Sequence, residues 1–221
     1  MRLIKFLFPF LTVFVLAGCQ TYTEKPIDYT EFKKSRPSSI LVLPPLNESP
    51  EVNASWGMLT ATTYPLSEAG YYVFPVAVVN ETFRQNGLTN AADIHNLKLD
   101  KLRAIFNNDA VLYITVKDYG TRYQLIQSIT IVQAEAKLVD AKTGKALWQG
   151  SVTASDSAEK SNNSTILGAL IGAIIDQISG TLLDKGFDVA QIAGSQLLSP
   201  QRTNGILYGP RSSEYKIEKN K

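Results

Sequence analysis

The chain has one cysteine, Cys19, in 221 residues. With no second thiol there is no disulfide framework, so whatever folds must be held by its own hydrophobic core. The position of that cysteine says more. It closes a segment with the three parts of an export signal: a short basic start at Arg2 and Lys5, an apolar run from Phe6 to Leu16, and small residues before a cut site. The run is too short to span a bilayer, which takes roughly 20 apolar residues, and Pro9 interrupts it. Residues 1–18 therefore read as a signal peptide that is removed.

The segment Leu16-Ala17-Gly18-Cys19 resembles the bacterial lipobox, in which the cysteine sulfur receives a diacylglyceryl group and the amine freed by cleavage is then acylated. A thiol suits this role because its thiolate is a strong nucleophile at modest pH. Each buried methylene of an acyl chain contributes about 0.8 kcal/mol, so several chains together hold a protein at a membrane. Cys19 is thus the expected lipidation site and the bilayer its first partner. By analogy with lipoprotein sorting, Gln20 after the cysteine favours the outer membrane, with the domain facing the periplasm. Twenty-two basic residues face 20 acidic ones, and two of the basic ones are Arg2 and Lys5. The mature side chains therefore balance and leave no electrostatic footprint for nucleic acid.

Residues 19–38 are polar, carry two prolines and show no period, which reads as a lipidated N-terminus followed by a flexible tether. A single α/β domain is expected over residues 39–200. Ile40 to Leu43 reads as a buried strand stopped by Pro44 and Pro45. Val52 to Thr63 carries Val52, Trp56 and Leu59 at helical spacing, with Asn47 or Ser49 as caps and Pro65 as the break. Tyr71 to Val76 reads as a second strand. Helices are expected over Asn80 to Asn86 and Asn96 to Phe106, the latter with Leu99, Leu102, Ile105 and Phe106 inward. Ala110 to Val116 is apolar enough to be a central strand covered on both faces. From Gln124 to Val139 the pattern alternates, with Val132, Ala134, Ala136 and Leu138 on one face and Gln133, Glu135 and Lys137 on the other. Asp140 to Gly144 supplies a turn, and the chain returns as a partner strand. This order predicts an α/β fold: a mixed sheet of about five strands with an antiparallel hairpin at its edge and helices at the C-terminus. Residues 201–221, with five basic and two acidic residues, are expected to form a loose basic tail.

No catalytic, cofactor-binding or metal-binding constellation stands out. His95 is the only histidine, no nucleophile motif accompanies it, and it reads as a structural hydrogen-bonding residue. One histidine and scattered carboxylates offer no ligand spacing for a metal. Tyr113, Tyr119 and Tyr123 gather around one strand end, either as a binding surface or as half-buried sheet residues. The apolar stretch from Thr165 to Leu183 is expected to be a helix. Its residues Thr165, Gly168, Gly172, Asp176 and Ser179 fall on one narrow strip. Glycines at that spacing let helices approach closely, either within the domain or between two copies of the chain.

LVLPPLN, GYYVFPV, DAVLYITVKDYGTRY and LVDAKTGKALWQG, in that order, resemble a family of bacterial outer-membrane lipoproteins often encoded beside a CsgG/HfaB-like lipoprotein. The strand ending in prolines and the D-x-x-T-G-x-x-x-W hairpin are more distantly similar to CsgG-type periplasmic domains and to the N-terminal domain of TolB. The resemblance implies a three-layer α/β domain associated with envelope assembly or secretion, and it implies no catalytic residue. The reading is a lipid-anchored, non-catalytic interaction or assembly factor, with envelope proteins, a CsgG/HfaB-like lipoprotein or a second copy as partners. Its rivals are an envelope hydrolase using carboxylates that the sequence does not locate, and an accessory subunit of a secretion pore. Against pore formation, the chain lacks a pair of long amphipathic hairpins suited to barrel insertion.

Overall fold

A computed structural model describes residues 26–123, 128–156 and 185–215. Alternation in the sequence becomes a sheet of six strands: β1 (Ser39–Val42), β2 (Leu46–Asn47), β3 (Tyr72–Val73), β4 (Ala110–Tyr123), β5 (Ser128–Asp140) and β6 (Ala146–Ser155). Their order is β3-β1-β4-β5-β6, with β2 also paired to β4. β4 runs parallel to β1 and β2 and antiparallel to β5, and β5 is antiparallel to β6. The sheet is mixed, with an antiparallel hairpin at its edge, and has one strand more than expected, the two-residue β2 beyond the prolines. The turn between β5 and β6 follows from its residues. The Asp140 carboxylate accepts the backbone N–H groups of Lys142 and Thr143 at 3.0 and 2.6 Å and the Thr143 hydroxyl at 2.9 Å. Gly144 then takes φ +72, a conformation costly for any side-chain-bearing residue.

Among the described residues six helices surround the sheet: α1 (Thr30–Ser35), α2 (Ala54–Glu68), α3 (Val76–Gln85), α4 (Ala91–His95), α5 (Leu99–Phe106) and α6 (Lys185–Leu197). On one face Val132, Ala134, Ala136 and Leu138 of β5 join Leu112, Ile114 and Val116 of β4 beneath α2 and α6, forming the larger core with Met58, Leu66, Ala193 and Leu197. On the other face Leu41, Leu43 and Val111 meet Val79, Phe83, Ile94 and Leu102 from α3, α4 and α5. The fold is thus three-layered, and among the described residues the second helical layer covers only β1 and the start of β4.

Local expectations fail in instructive places. The first long helix starts at Ala54, after Val52, and continues through Pro65 to Glu68. Pro65 sits in its last turn, where one lost hydrogen bond is cheap. Asn53 is the N-cap without a side-chain bond, whereas the Asn47 side chain accepts from Ser49. Trp56 lies outward, 53% exposed. Only Tyr72–Val73 of the second expected strand pairs, because Pro75 opens α3. The stretch from Asn96 to Phe106 is helical only from Leu99, and Ile105 faces solvent.

Both expected loose ends are corrected where they are described. Within the supposed tether, Phe32 is buried and Ile27 and Tyr29 pack on the larger core. Within the supposed tail, Ile206 is fully buried, Gly209 N–H donates to Ala69 O at 2.7 Å, and Arg211 N–H donates to Gly70 O at 3.1 Å. Tyr29 Oη donates to Gly205 O at 2.6 Å, and the Tyr71 hydroxyl donates to Leu207 O. The apolar residues at 27, 29, 32 and 206 were the signal, outweighed by polar neighbours. Cys19, the signal segment and the strip at Thr165, Gly168, Gly172, Asp176 and Ser179 lie outside the described residues.

Candidate binding cleft on the uncovered sheet face

Beyond the second helical layer, no described residue covers the outward side chains of three strands. Register sets them in rows. Tyr113, Lys137 and Gln149 stand side by side across β4, β5 and β6, and Thr115, Glu135 and Ser151 form the next row. Rows on one face are two residues apart along a strand, roughly 7 Å, and strands lie about 4.8 Å apart. These rows floor an open cleft of about 840 Å³. One wall is α4 with His95, and the other is Ile27, Arg202 and Asn204 at the β6 edge. Arg202 is placed by its Nη1, which donates to Ser151 O at 3.2 Å and Gln196 O at 3.3 Å. Asn204 is placed by its carbonyl, which accepts the Trp148 indole N–H at 2.9 Å. The Asn204 side chain also accepts Ile27 N–H at 3.2 Å. The segments expected to be tether and tail therefore build one rim of the cleft.

His95 behaves as a structural residue. Its Nε2 donates to the Pro44 carbonyl at 2.8 Å, which a carbonyl can only accept, and its ring stands edge to face with Tyr113 at 5.2 Å. Burial pushes its pKa below the ordinary value, outweighing the Pro44 bond, which pulls it up. Burial likewise raises the Tyr113 phenol. The sign of the consequence is fixed. A histidine with a depressed folded pKa contributes its full stability above the unfolded value of about 6.5 and loses it as pH falls below that value. Between pH 7.5 and pH 5.5 the denaturant midpoint of the wild-type chain should therefore fall further than that of His95→Gln. At pH 7.5 His95→Ala should cost about 1 kcal/mol, the worth of one hydrogen bond. Equal slopes for wild type and His95→Gln would show that His95 does not titrate as placed.

Of the carboxylates, Glu135 lies on the cleft floor with its oxygen 3.7 Å from Lys117 Nζ, and Lys117 also reaches Glu48 at 2.9 Å. The Glu48 bond leads in holding the Lys117 pKa above its ordinary value. Asp109 lies at the far end of β4. Partial burial raises its pKa, but bonds from the hydroxyls and N–H groups of Ser38 and Ser39, at 2.5 to 3.0 Å, outweigh that and lower it. Asp140 is lowered in the same way, burial being outweighed by bonds from Ser35, Thr143 and Lys142. Both carboxylates are thus occupied in joining strands and turns. Among the described residues no group of three His, Cys, Asp or Glu side chains is placed to hold a metal ion. Tyr113 lines the cleft, while Tyr119 is buried on the opposite face. The alternation of β5 had marked Glu135 and Lys137 as solvated, but nothing local in the sequence showed that Gln149, Ser151 and Arg202 would meet them.

The described residues form an α/β domain with helices on its mixed sheet and a polar cleft beside them. The chain belongs to the family described as "Putative lipoprotein GNA1162-like", which matches residues 27–211. It is 57% identical over 202 residues to the Neisseria meningitidis serogroup B protein "Putative lipoprotein NMB1124/NMB1162", covering 91% of this chain and 94% of that one. It is also similar to the crystal structure of lipoprotein GNA1162 from Neisseria meningitidis. That match has 60% identity and a TM-score of 0.54, over 66% of this chain and all of that one. Among the described residues no helix is long and apolar enough to cross a membrane.

Proposed function

We propose that this lipoprotein is a non-catalytic interaction or assembly factor, anchored through acylated Cys19 to the outer membrane and facing the periplasm. One observation carries the reading. Tyr113, Thr115, Lys137 and Gln149 present polar groups to a broad cleft without bonding one another, while His95 is turned to Pro44. Groups held ready in that way suit recognition of a partner. The partner class the sequence resemblance supports is an envelope protein such as a CsgG/HfaB-like lipoprotein. A photo-crosslinking residue at Gln149 in intact cells should give discrete adducts, and one at Lys101 on the exposed side of α5 should give few. Equal yields at the two sites would remove the cleft from the reading. The strip at Thr165, Gly168, Gly172, Asp176 and Ser179 is our proposed surface for homodimer formation. Gly168→Leu with Gly172→Leu should sediment as a monomer with an unchanged melt, and a collapsed melt would place those glycines inside the domain instead.

A further inference from the structure

We propose that the cleft takes an acidic peptide segment about four residues long, with a carboxylate against Lys137 and Arg202. This rests on the reading of the cleft as an interaction surface and names what that surface binds. Charge carries the argument. Lys137 makes no hydrogen bond or ion pair among the described residues, and the Arg202 guanidinium meets only the carbonyls of Ser151 and Gln196. The other cation of this face, Lys117, is answered by Glu48 and Glu135. Two positive charges at the β5–β6 side of the cleft therefore lack a carboxylate among the described residues, in a concavity where charge complementarity acts more strongly than on a flat surface.

Shape and hydrogen bonding narrow the ligand. From Val139 through Lys137 to Glu135 the floor spans five residues of β5, four residue steps or roughly 13 Å, the length of about four extended peptide units. The Thr115 hydroxyl, the Gln149 amide and the Tyr113 phenol can each donate and accept, which matches the alternating donors and acceptors of a peptide backbone. A glycan is disfavoured. Sugar faces stack on open aromatic rings, and the one aromatic ring lining this cleft besides His95, Tyr113, is packed edge to face with His95.

The test uses the full-length lipidated chain in detergent micelles and a fluorescein-labelled tetrapeptide of two glutamates between two alanines, read by fluorescence anisotropy. The acidic peptide should bind saturably, and its glutamine counterpart about tenfold more weakly. Lys137→Gln should weaken binding of the acidic peptide about fivefold, and Lys137→Arg should stay within about twofold of wild type. Lys137 is exposed on the sheet, so these variants should melt with the parent. Equal affinity for the two peptides, no effect of Lys137→Gln, or displacement of the peptide by chitotetraose would overturn the proposal. Adducts at Gln149 without peptide binding would overturn the ligand class and leave the cleft as an interaction surface. Absence of both would remove the two readings together.

Discussion

Gly194→Val is expected to destabilise the domain by about 3 kcal/mol or more, the upper end of what overpacking costs. In a domain of this size that is a fall of roughly 10 °C in melting temperature. Gly194 lies in α6 where it crosses α2. A Cβ built there would stand 2.8 Å from Ala61 Cβ and would overlap the Ala61 carbonyl oxygen. The obstruction is backbone, so no rotamer change relieves it. The two helices must separate, and the core they share through Met58, Leu66, Ala193 and Leu197 must loosen with them. Gln191→Val, on the same helix but at its partly exposed face, provides the comparison, since it loses only a few tenths of a kcal/mol of helix propensity and one long, exposed bond from Gln191 Nε2 to Thr60 Oγ1 at 3.5 Å. Equal melting of the two variants would mean that α6 does not cross α2 at Gly194.

The same contact shows why Pro65 misleads a reader of the sequence. A proline has no N–H, so Pro65 cannot bond the carbonyl four residues earlier, which is Ala61 O. That oxygen is the one Gly194 lies against. A residue that looks like a helix break therefore sits within the last turn of α2, and the carbonyl it leaves faces a helix that comes close only because residue 194 has no side chain. Neither residue discloses the arrangement alone, since they are far apart in sequence.

What was legible depended on whether the cause was local. The alternation of β5 assigned both faces of the sheet correctly, because period two is imposed by the strand itself. The turn at Asp140 and Gly144 was equally readable, since its hydrogen bonds close within five residues. The small layer of α3, α4 and α5 was only half legible. Leu102 is buried as its spacing implied, but Ile105 is 46% exposed because α5 is short and packs along a narrow line. The cleft was the least legible part. Its floor follows from the pleat, but its rim joins Ile27 to Asn204, a pairing across 177 positions that composition had assigned to two loose ends.

Cys19→Ala is expected to have the largest effect on where the protein resides and almost none on its fold. The variant should lose palmitate labelling and move from the membrane pellet to the soluble fraction. No other apolar device of the right length is available among the described residues, in which no helix can cross a bilayer. Its melting temperature should match the parent, because the described core begins at Ile27 and Phe32, well after Cys19. The reach between anchor and cleft is set by covalent geometry. Eight residue steps separate Cys19 from Ile27 on the cleft rim, at most roughly 28 Å of fully extended chain. On the proposed function, acylation at Cys19 would hold the cleft within reach of membrane-bound partners, and a released chain would have to find them by diffusion. Adducts formed at Gln149 should accordingly fall about tenfold or more in the Cys19→Ala background, as expected when an effectively intramolecular encounter becomes bimolecular. Retention of the variant in the pellet after a high-salt wash would refute anchoring by Cys19. Undiminished adducts from a fully soluble variant would show that the anchor does not serve the cleft.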